Sequence, residues 1–199
     1  MNKKNINKNF QVLIPLRKGS KRIKNKNFVK INNKQLIDFT LKEVKKIFKR
    51  ENIFISSNDI KAKKYALKNK LQFIQRPNKI CKDNSSTEDA ILHFLNFKKK
   101  NKLKTVKNLI LLQATSPQRK SKHILGSIKK YLNMNLDSLF SAYADKSFIW
   151  KKNKSQTKLT SISYNYKKRE ISQKLHKLIF ENGAIFIFKI KGFKKFKNR

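Results

Sequence analysis

The chain has 199 residues, 38% of them hydrophobic and 15 of them Phe, enough for one domain with a sizeable core. Its 51 Lys and Arg against 11 Asp and Glu leave a net charge of +40. The cations are spread along the whole length, as a compositional drift toward Lys, Asn and Ile would leave them, and not gathered in an interaction tail. The single Cys81 excludes an internal disulfide. No apolar run approaches the roughly 20 residues of a membrane span. The opening MNKKNINKNF lacks the apolar centre of a signal peptide. The expectation is a soluble cytoplasmic protein with no membrane partner, which meets nucleic acid only non-specifically through its charge.

Phe10–Pro15 reads as a first strand. Leu36, Ile37, Phe39, Leu41, Val44, Ile47 and Phe48 then recur at helical spacing. Residues 52–57 read as a second strand, and Asp59 as the cap of a helix running to Lys70. A third strand over 71–75 ends at Arg76-Pro77, where proline stops regular structure. Ser85-Ser86-Thr87-Glu88 has the form of a helix start, with Ala90, Ile91, Phe94 and Leu95 as its buried stripe. His93 on that helix has no partner carboxylate or serine in the pattern, so it reads as a core-facing residue. Residues 109–113 form a fourth strand, Ser121 opens a helix to about residue 132, and 138–142 form a fifth strand. The pattern changes over 147–177, where Trp150 and the run 162–166 suggest hairpin-like strands in an excursion from the main sheet. An apolar strand over 185–190 then precedes a basic end.

Strands alternating with helices predict an α/β fold: a Rossmann-like, three-layer, mostly parallel sheet within a single domain over 1–199. Ligands of such sheets collect at the carboxyl ends of the strands. The segment 13–27, LIPLRKGSKRIKNKN, is a strand that feeds a loop holding Arg17, Gly19, Ser20, Lys21, Lys26 and Asn27. Glycine lets backbone N–H groups approach a phosphate, and the cations cancel its charge. A polyphosphate-binding loop is therefore expected here. No His/Cys/Asp spacing suggests a metal cluster.

Five segments, in order, resemble the acylneuraminate cytidylyltransferases, also called CMP-sialic acid synthetases. The opening motif is Arg17-Lys18-Gly19-Ser20-Lys21 with the closing Lys26-Asn27. Ile55 to Asp59 is similar to the family's short Ser-Thr-Asp motif. Arg76-Pro77 with Asp83, Ser85, Ser86, Thr87, Glu88 and Asp89 resembles its nucleotide-base loop and following helix. Leu111-Leu112-Gln113-Ala114-Thr115-Ser116-Pro117-Gln118-Arg119 is similar to Leu-Leu-Gln-Pro-Thr-Ser-Pro-x-Arg. Glu181-Asn182-Gly183-Ala184-Ile185-Phe186 resembles Glu-Asn-Gly-Ala-Ile-Tyr. The resemblance implies a nucleotide-diphospho-sugar transferase type of fold and the transfer of CMP from CTP to the anomeric hydroxyl of a nonulosonic acid. The products would be a CMP-sugar and pyrophosphate.

By that resemblance Arg17 and Lys21 are the expected catalytic cations on the phosphates, with Ser20 as a neutral donor. Lys26, Asn27, Arg76, Ser86 and Thr87 would complete the nucleotide pocket. Gln113, Arg169, Gln173 and Asn182 would contact the sugar acid, and the excursion would pack on a second subunit in a homodimer. Mg²⁺ is expected as cofactor. The family's pair of magnesium-binding aspartates lies beyond the stretch that matches, so the chain is expected to be truncated at its C-terminus, with that part of the family domain missing and no metal ligand to name. Asn58, Ala114, Ser172 and Phe186 depart from the family's usual Asp, Pro, Arg and Tyr. Alternative readings are a synthetase for an eight-carbon 2-keto sugar acid, a non-catalytic truncated relative, and a basic nucleic-acid-binding protein.

Overall fold

Regular structure begins one element earlier than the hydrophobic pattern indicates. In the computed structural model, which describes residues 2–19, 23–155 and 157–199, Asn2 accepts a hydrogen bond from the Lys4 N–H and caps α1 (Lys3–Asn9). Only Ile6 of this helix is buried. One apolar residue in seven leaves no stripe to read.

The expected alternation then follows. β1 (Phe10–Pro15) leads through a small antiparallel pair, β2 (Lys30–Ile31) and β3 (Lys34–Gln35), to α2 (Leu36–Lys45). β4 (Ile53–Ser57) and α3 (Ile60–Lys68) come next, with Asp59 capping α3 by accepting from the Lys61 N–H at 2.9 Å. β5 (Gln72–Gln75) precedes α4 (Thr87–Lys100), where Ser86 and Asp89 form a reciprocal capping box. β6 (Asn108–Leu112), α5 (Ser121–Asn133) and β7 (Ser138–Asp145) follow. The predicted hairpin is present as β8 (Trp150–Lys152) paired with β9 (Leu159–Ser161), and its second strand ends just before Ile162. The chain returns through β10 (Leu178–Lys189) to α6 (Ile190–Phe196). Ile190 therefore opens a helix and does not end a strand. β7 and β10 both run past the apolar stretches that announced them, because their far halves are mostly exposed.

Two compact units emerge, residues 1–140 with 183–199, and residues 141–182. The six-stranded sheet has the order β5-β4-β1-β6-β10-β7. β1 pairs in parallel with β4 and β6, and β4 with β5. β10 runs antiparallel to β6, with Ile187 opposite Ile110.

Successive side chains of β1 point to opposite faces. Val12 and Ile14 join a cluster with residues of α1, α2, α3 and α5, including Ile6, Ile37, Ala62 and Ile128. Leu13 joins the opposite cluster, with Phe94 of α4 and Phe193 of α6. The sheet is thus the middle of three layers. Among the described residues no helix is long and apolar enough to cross a membrane.

Two buried charges tie elements together, Lys98 a helix to the sheet and Glu43 two helices of one layer. Lys98 of α4 donates to Gln11 Oε1 and to the Lys104 carbonyl, and its ammonium lies 5.2 Å from the Phe54 ring centre. Burial pushes its pKa down to about 8. Glu43 of α2 accepts from Lys46 Nζ at 2.8 and 2.9 Å and from the Ser121 N–H at 2.8 Å, which joins α2 to the start of α5. Lys46 first and the Ser121 amide second hold the Glu43 pKa down to about 2, from 4.5. A carboxylate with a depressed folded-state pKa contributes stability that is present above the unfolded value and lost as pH falls through the folded one. Glu43 should therefore contribute about 2 kcal/mol above pH 4.5, once the half-exposed Lys46 is discounted. This contribution should disappear between pH 4.5 and 2. Urea midpoints measured across that window should show a shallower pH dependence for Glu43→Gln than for the unaltered protein.

Candidate active site

The loops that leave β1, β4, β5 and β6 lie at the carboxyl edge of the parallel strands. Those after β1, β5 and β6 enclose a cleft of about 300 Å³. Its wall brings together Arg17, Lys26, Asn27, Arg76, Ser86, Thr87 and Gln113, seven of the residues marked by the sequence. Ser20 and Lys21 lie outside the described residues.

The first loop is fastened at its root. The Leu16 N–H donates to the Ser56 carbonyl at 2.9 Å, and the Lys18 N–H to Asn58 Oδ1 at 3.0 Å. Asn58 also donates from Nδ2 to Asn78 Oδ1 at 3.0 Å. An aspartate there could accept the first bond but could not donate the second, so the departure at this position links three loops. Arg76 is buried, and its Nη2 donates to the Leu16 carbonyl. Burial lowers its pKa, an effect partly offset by Cys81 beside it. Gly19 adopts φ 80°, a left-handed conformation that suits glycine.

Arg17 reaches across the cleft. Its Nη1 donates to Asp83 Oδ1 at 2.7 Å and to the Lys82 carbonyl at 3.2 Å. Asn27 Nδ2 donates to the Arg17 carbonyl at 3.4 Å. At the far wall Ser86 Oγ accepts from the Asp89 N–H at 3.0 Å. That bond leaves the hydroxyl proton available to a ligand. The N-terminus of α4, 14 residues long, thus faces the cleft with its positive dipole end.

Gln113 directly follows β6, and its side chain lies over Gly183. A Cβ built on Gly183 would sit 3.7 Å from the Gln113 amide, and the glycine adopts φ 68°. Beneath them is a residue that the sequence marked only as a motif letter. Arg119 is 3% exposed. Its Nη1 donates to the carbonyls of Gln113 (3.0 Å) and Ala184 (2.6 Å), and its Nη2 to Thr40 Oγ1 (2.6 Å). Burial lowers its pKa to about 10, so it stays charged at neutral pH. One guanidinium thereby joins the end of β6, the middle of β10 and α2. Asp83 was likewise a motif letter whose pairing with Arg17 no spacing reveals.

His93 is half-buried on α4, with an enclosed Nδ1 that has no hydrogen-bond partner among the described residues. Desolvation first, and the Arg76 cation second, lower its pKa and keep it neutral. Cys81 is buried against the cleft. Among the described residues no group of three or more His, Cys, Asp or Glu side chains converges. Among the described residues of the cleft wall, Asp83 is the acid, and it pairs with Arg17.

The remaining predicted residues belong to the second unit. The Arg169 guanidinium stacks on Phe148 at 4.3 Å and lies 5.8 Å from Tyr164. Gln173 accepts at its carbonyl from Lys146, and Asn182 Oδ1 accepts from Ser141 Oγ at 2.6 Å. Phe148, Trp150, Tyr164 and Tyr166 form an aromatic cluster around the β8–β9 hairpin.

A family model described as cytidylyltransferase matches residues 11–196. The chain belongs to the cytidylyltransferase family. Among curated relatives, an N-acylneuraminate cytidylyltransferase of Streptococcus agalactiae serotype V is 28% identical over 88% of this chain and 42% of its own length. A protein of the same name from Escherichia coli O18:K1:H7 is 29% identical over 60% of this chain and 27% of its own. This cytidylyltransferase-family chain thus spans about two fifths of the length of the streptococcal relative. Among solved structures, a CMP:2-keto-3-deoxy-manno-octonic acid synthetase complexed with CTP superposes with a TM-score of 0.66 at 16% identity, covering 94% of this chain and 77% of that one. A 4-diphosphocytidyl-2C-methyl-D-erythritol synthase from Anaerococcus prevotii gives 0.61 at 11% identity, covering 96% and 75%. The cytidylyltransferase fold is therefore shared even where little sequence is.

Proposed function

We propose that this chain carries the cytidylyl-transfer site of a cytoplasmic CMP-sugar-acid synthetase acting on a nonulosonic acid. The observation that carries the reading is the gathering of Arg17, Lys26, Arg76 and the α4 N-terminus around one cleft. The likeness to N-acylneuraminate cytidylyltransferases supports the choice of substrate.

In this reading the triphosphate of CTP lies along the loop after β1. Arg17 offers a planar fork to two phosphate oxygens and Lys21 a point charge, with Ser20 as a neutral donor. Lys26, Asn27, Arg76, Ser86 and Thr87 hold the rest of the nucleotide. Gln113 contacts the sugar acid at the cleft wall. The anomeric oxygen attacks the α-phosphorus in line, the bond from that phosphorus to the bridging oxygen of the β-phosphate breaks, and pyrophosphate leaves. The hydroxyl proton is lost to solvent. The cations stabilise the charge that builds on the departing pyrophosphate, and the cleft supplies orientation. Magnesium enters this reading only as a component of the reaction mixture.

The test is pyrophosphate release with CTP, Mg²⁺ and a panel of nine-carbon and eight-carbon 2-keto acids. Turnover with a nine-carbon acid is the expected result. Turnover only with an eight-carbon acid would move the substrate. Absence of turnover with every acid, from a protein that also fails to bind CTP in calorimetry, would end the reading.

The second unit is proposed as a homodimer contact. Seven of its large apolar side chains are at least 40% exposed, among them Ile162 at 63% and Ile179 at 65%. Surfaces of this kind mark association sites. Sedimentation should show a dimer, and Ile162→Glu with Ile179→Glu should weaken it by at least tenfold.

A further inference from the structure

At the opposite edge of the sheet from the cleft, beside the amino end of β1, a groove of about 830 Å³ runs between α1, the exit turn of α2 and the segment before β6. Eight of the twelve residues that line it are Lys or Arg, and one, Glu51, is acidic. Lys and Arg make up only 51 of the 199 residues in the whole chain, so their density in the groove is more than double the mean. Eight cations against one acid give the groove a strongly positive field.

Two of these cations are engaged. Lys45 donates to Asn69 Oδ1 and Lys46 pairs with Glu43. The side chains of Lys3, Lys4, Lys8, Lys49, Arg50 and Lys104 form no hydrogen bond or ion pair with any described residue. Their frame is held in place by Asn7. It donates to the Ile47 carbonyl at 3.1 Å, accepts from the Lys49 N–H at 2.7 Å, and accepts from Asn52 Nδ2 at its own carbonyl, 3.0 Å. α1 is therefore pinned to the turn after α2. Ile47 and Phe48 floor the groove and are themselves buried. The neighbouring charges already press on one another, since Arg50 adds to the burial that lowers the Lys45 pKa.

Six uncompensated cations on a fixed concave frame match a polyanionic chain, whose binding releases condensed counterions. A concave wall fits a threading strand better than a planar lipid surface. Base reading has no support in the groove: Phe48 is 3% exposed and offers no stacking face, and the Asn7 amide is committed. We propose that this groove binds the phosphodiester backbone of a nucleic-acid strand without regard to sequence, at a site separate from the cleft.

The test is fluorescence anisotropy with a labelled single-stranded DNA oligonucleotide of mixed sequence between 50 and 200 mM salt. Engagement of all six cations gives a slope of log affinity against log salt of about −4. Neutralising three, as Lys4→Gln, Lys8→Gln and Lys49→Gln together, should reduce the slope to about −2 and the affinity by at least tenfold. The control removes the same charge from the exposed face of α5, as Lys122→Gln, Lys129→Gln and Lys130→Gln, and should bind within twofold of the unaltered protein. Equal losses in the two variants would show bulk charge at work and overturn the proposal, as would absence of binding at 50 mM salt. Groove-dependent binding to phosphatidylserine vesicles with none to the oligonucleotide would overturn the choice of partner. Should the groove variant melt below the control, Lys4→Arg with Lys8→Arg and Lys49→Arg must retain the affinity for the proposal to stand.

Discussion

Arg119→Ala is expected to destabilise the protein by about 3 kcal/mol, the largest stability loss of any change proposed at the cleft. The substitution withdraws a charged donor from the Gln113 and Ala184 carbonyls and from Thr40 Oγ1. A buried acceptor left without its donor costs about 1–3 kcal/mol, and two carbonyls are affected. Relief of the burial penalty on the guanidinium, visible in its lowered pKa, offsets part of the loss. Equilibrium urea unfolding measures the sum. The functional consequence is separable. Arg119 touches the backbone on both sides of the Gln113 side chain, so Arg119→Lys, which keeps the charge but not the fork, should raise KM for the sugar acid several-fold while KM for CTP stays near its original value. Equal changes in both would mean a general loosening of the domain.

Arg17→Ala is expected to lower kcat/KM for CTP by about 100-fold, the size of effect usually seen when one charge-stabilising donor is removed from a transition state. Two things change at once. The fork that would hold phosphate oxygens disappears, and the Asp83 carboxylate, still on the cleft wall, loses its pairing with Arg17. Arg17→Lys should recover only part of the loss, because an ammonium cannot reproduce the bidentate geometry. The pair is about 40% exposed on each side, so its own strength is modest, under about 1 kcal/mol. A triphosphate can therefore take Arg17 from Asp83, and Asp83→Asn should lower KM for CTP a few-fold. Steady-state pyrophosphate release with the three variants tests these statements. An Asp83→Asn enzyme with weaker CTP binding would show that the carboxylate aids the nucleotide and does not compete with it.

The parts of this fold that could be read from the chain are those whose signals are local. Phe10–Pro15 is an apolar run closed by a proline, and Asp59 and Ser86 are caps at the positions their side chains then occupy. The cleft was legible for the same reason: Arg17, Arg76, Ser86 and Gln113 each follow a strand or open a helix. What escaped depends on partners distant in sequence. Asn58 reads as a departure from a motif until Lys18 and Asn78 are brought to it. Arg119 reads only as the closing letter of a motif until residues 65 and 79 positions away surround it. The far halves of β7 and β10 carry no burial signal because their pairing, and not a core, makes them strands.

The place of β10 has a consequence for the order of events during synthesis. It lies between β6 and β7 in the sheet yet leaves the ribosome after both. β7 cannot take its final neighbour until Lys189 has been made, so the nascent chain must hold an exposed strand edge at β6 for some 70 residues of elongation. Long-range pairing of this kind slows folding, and an open edge invites pairing with other chains. The protein should therefore depend on holding factors at the ribosome exit until β10 slides into the gap.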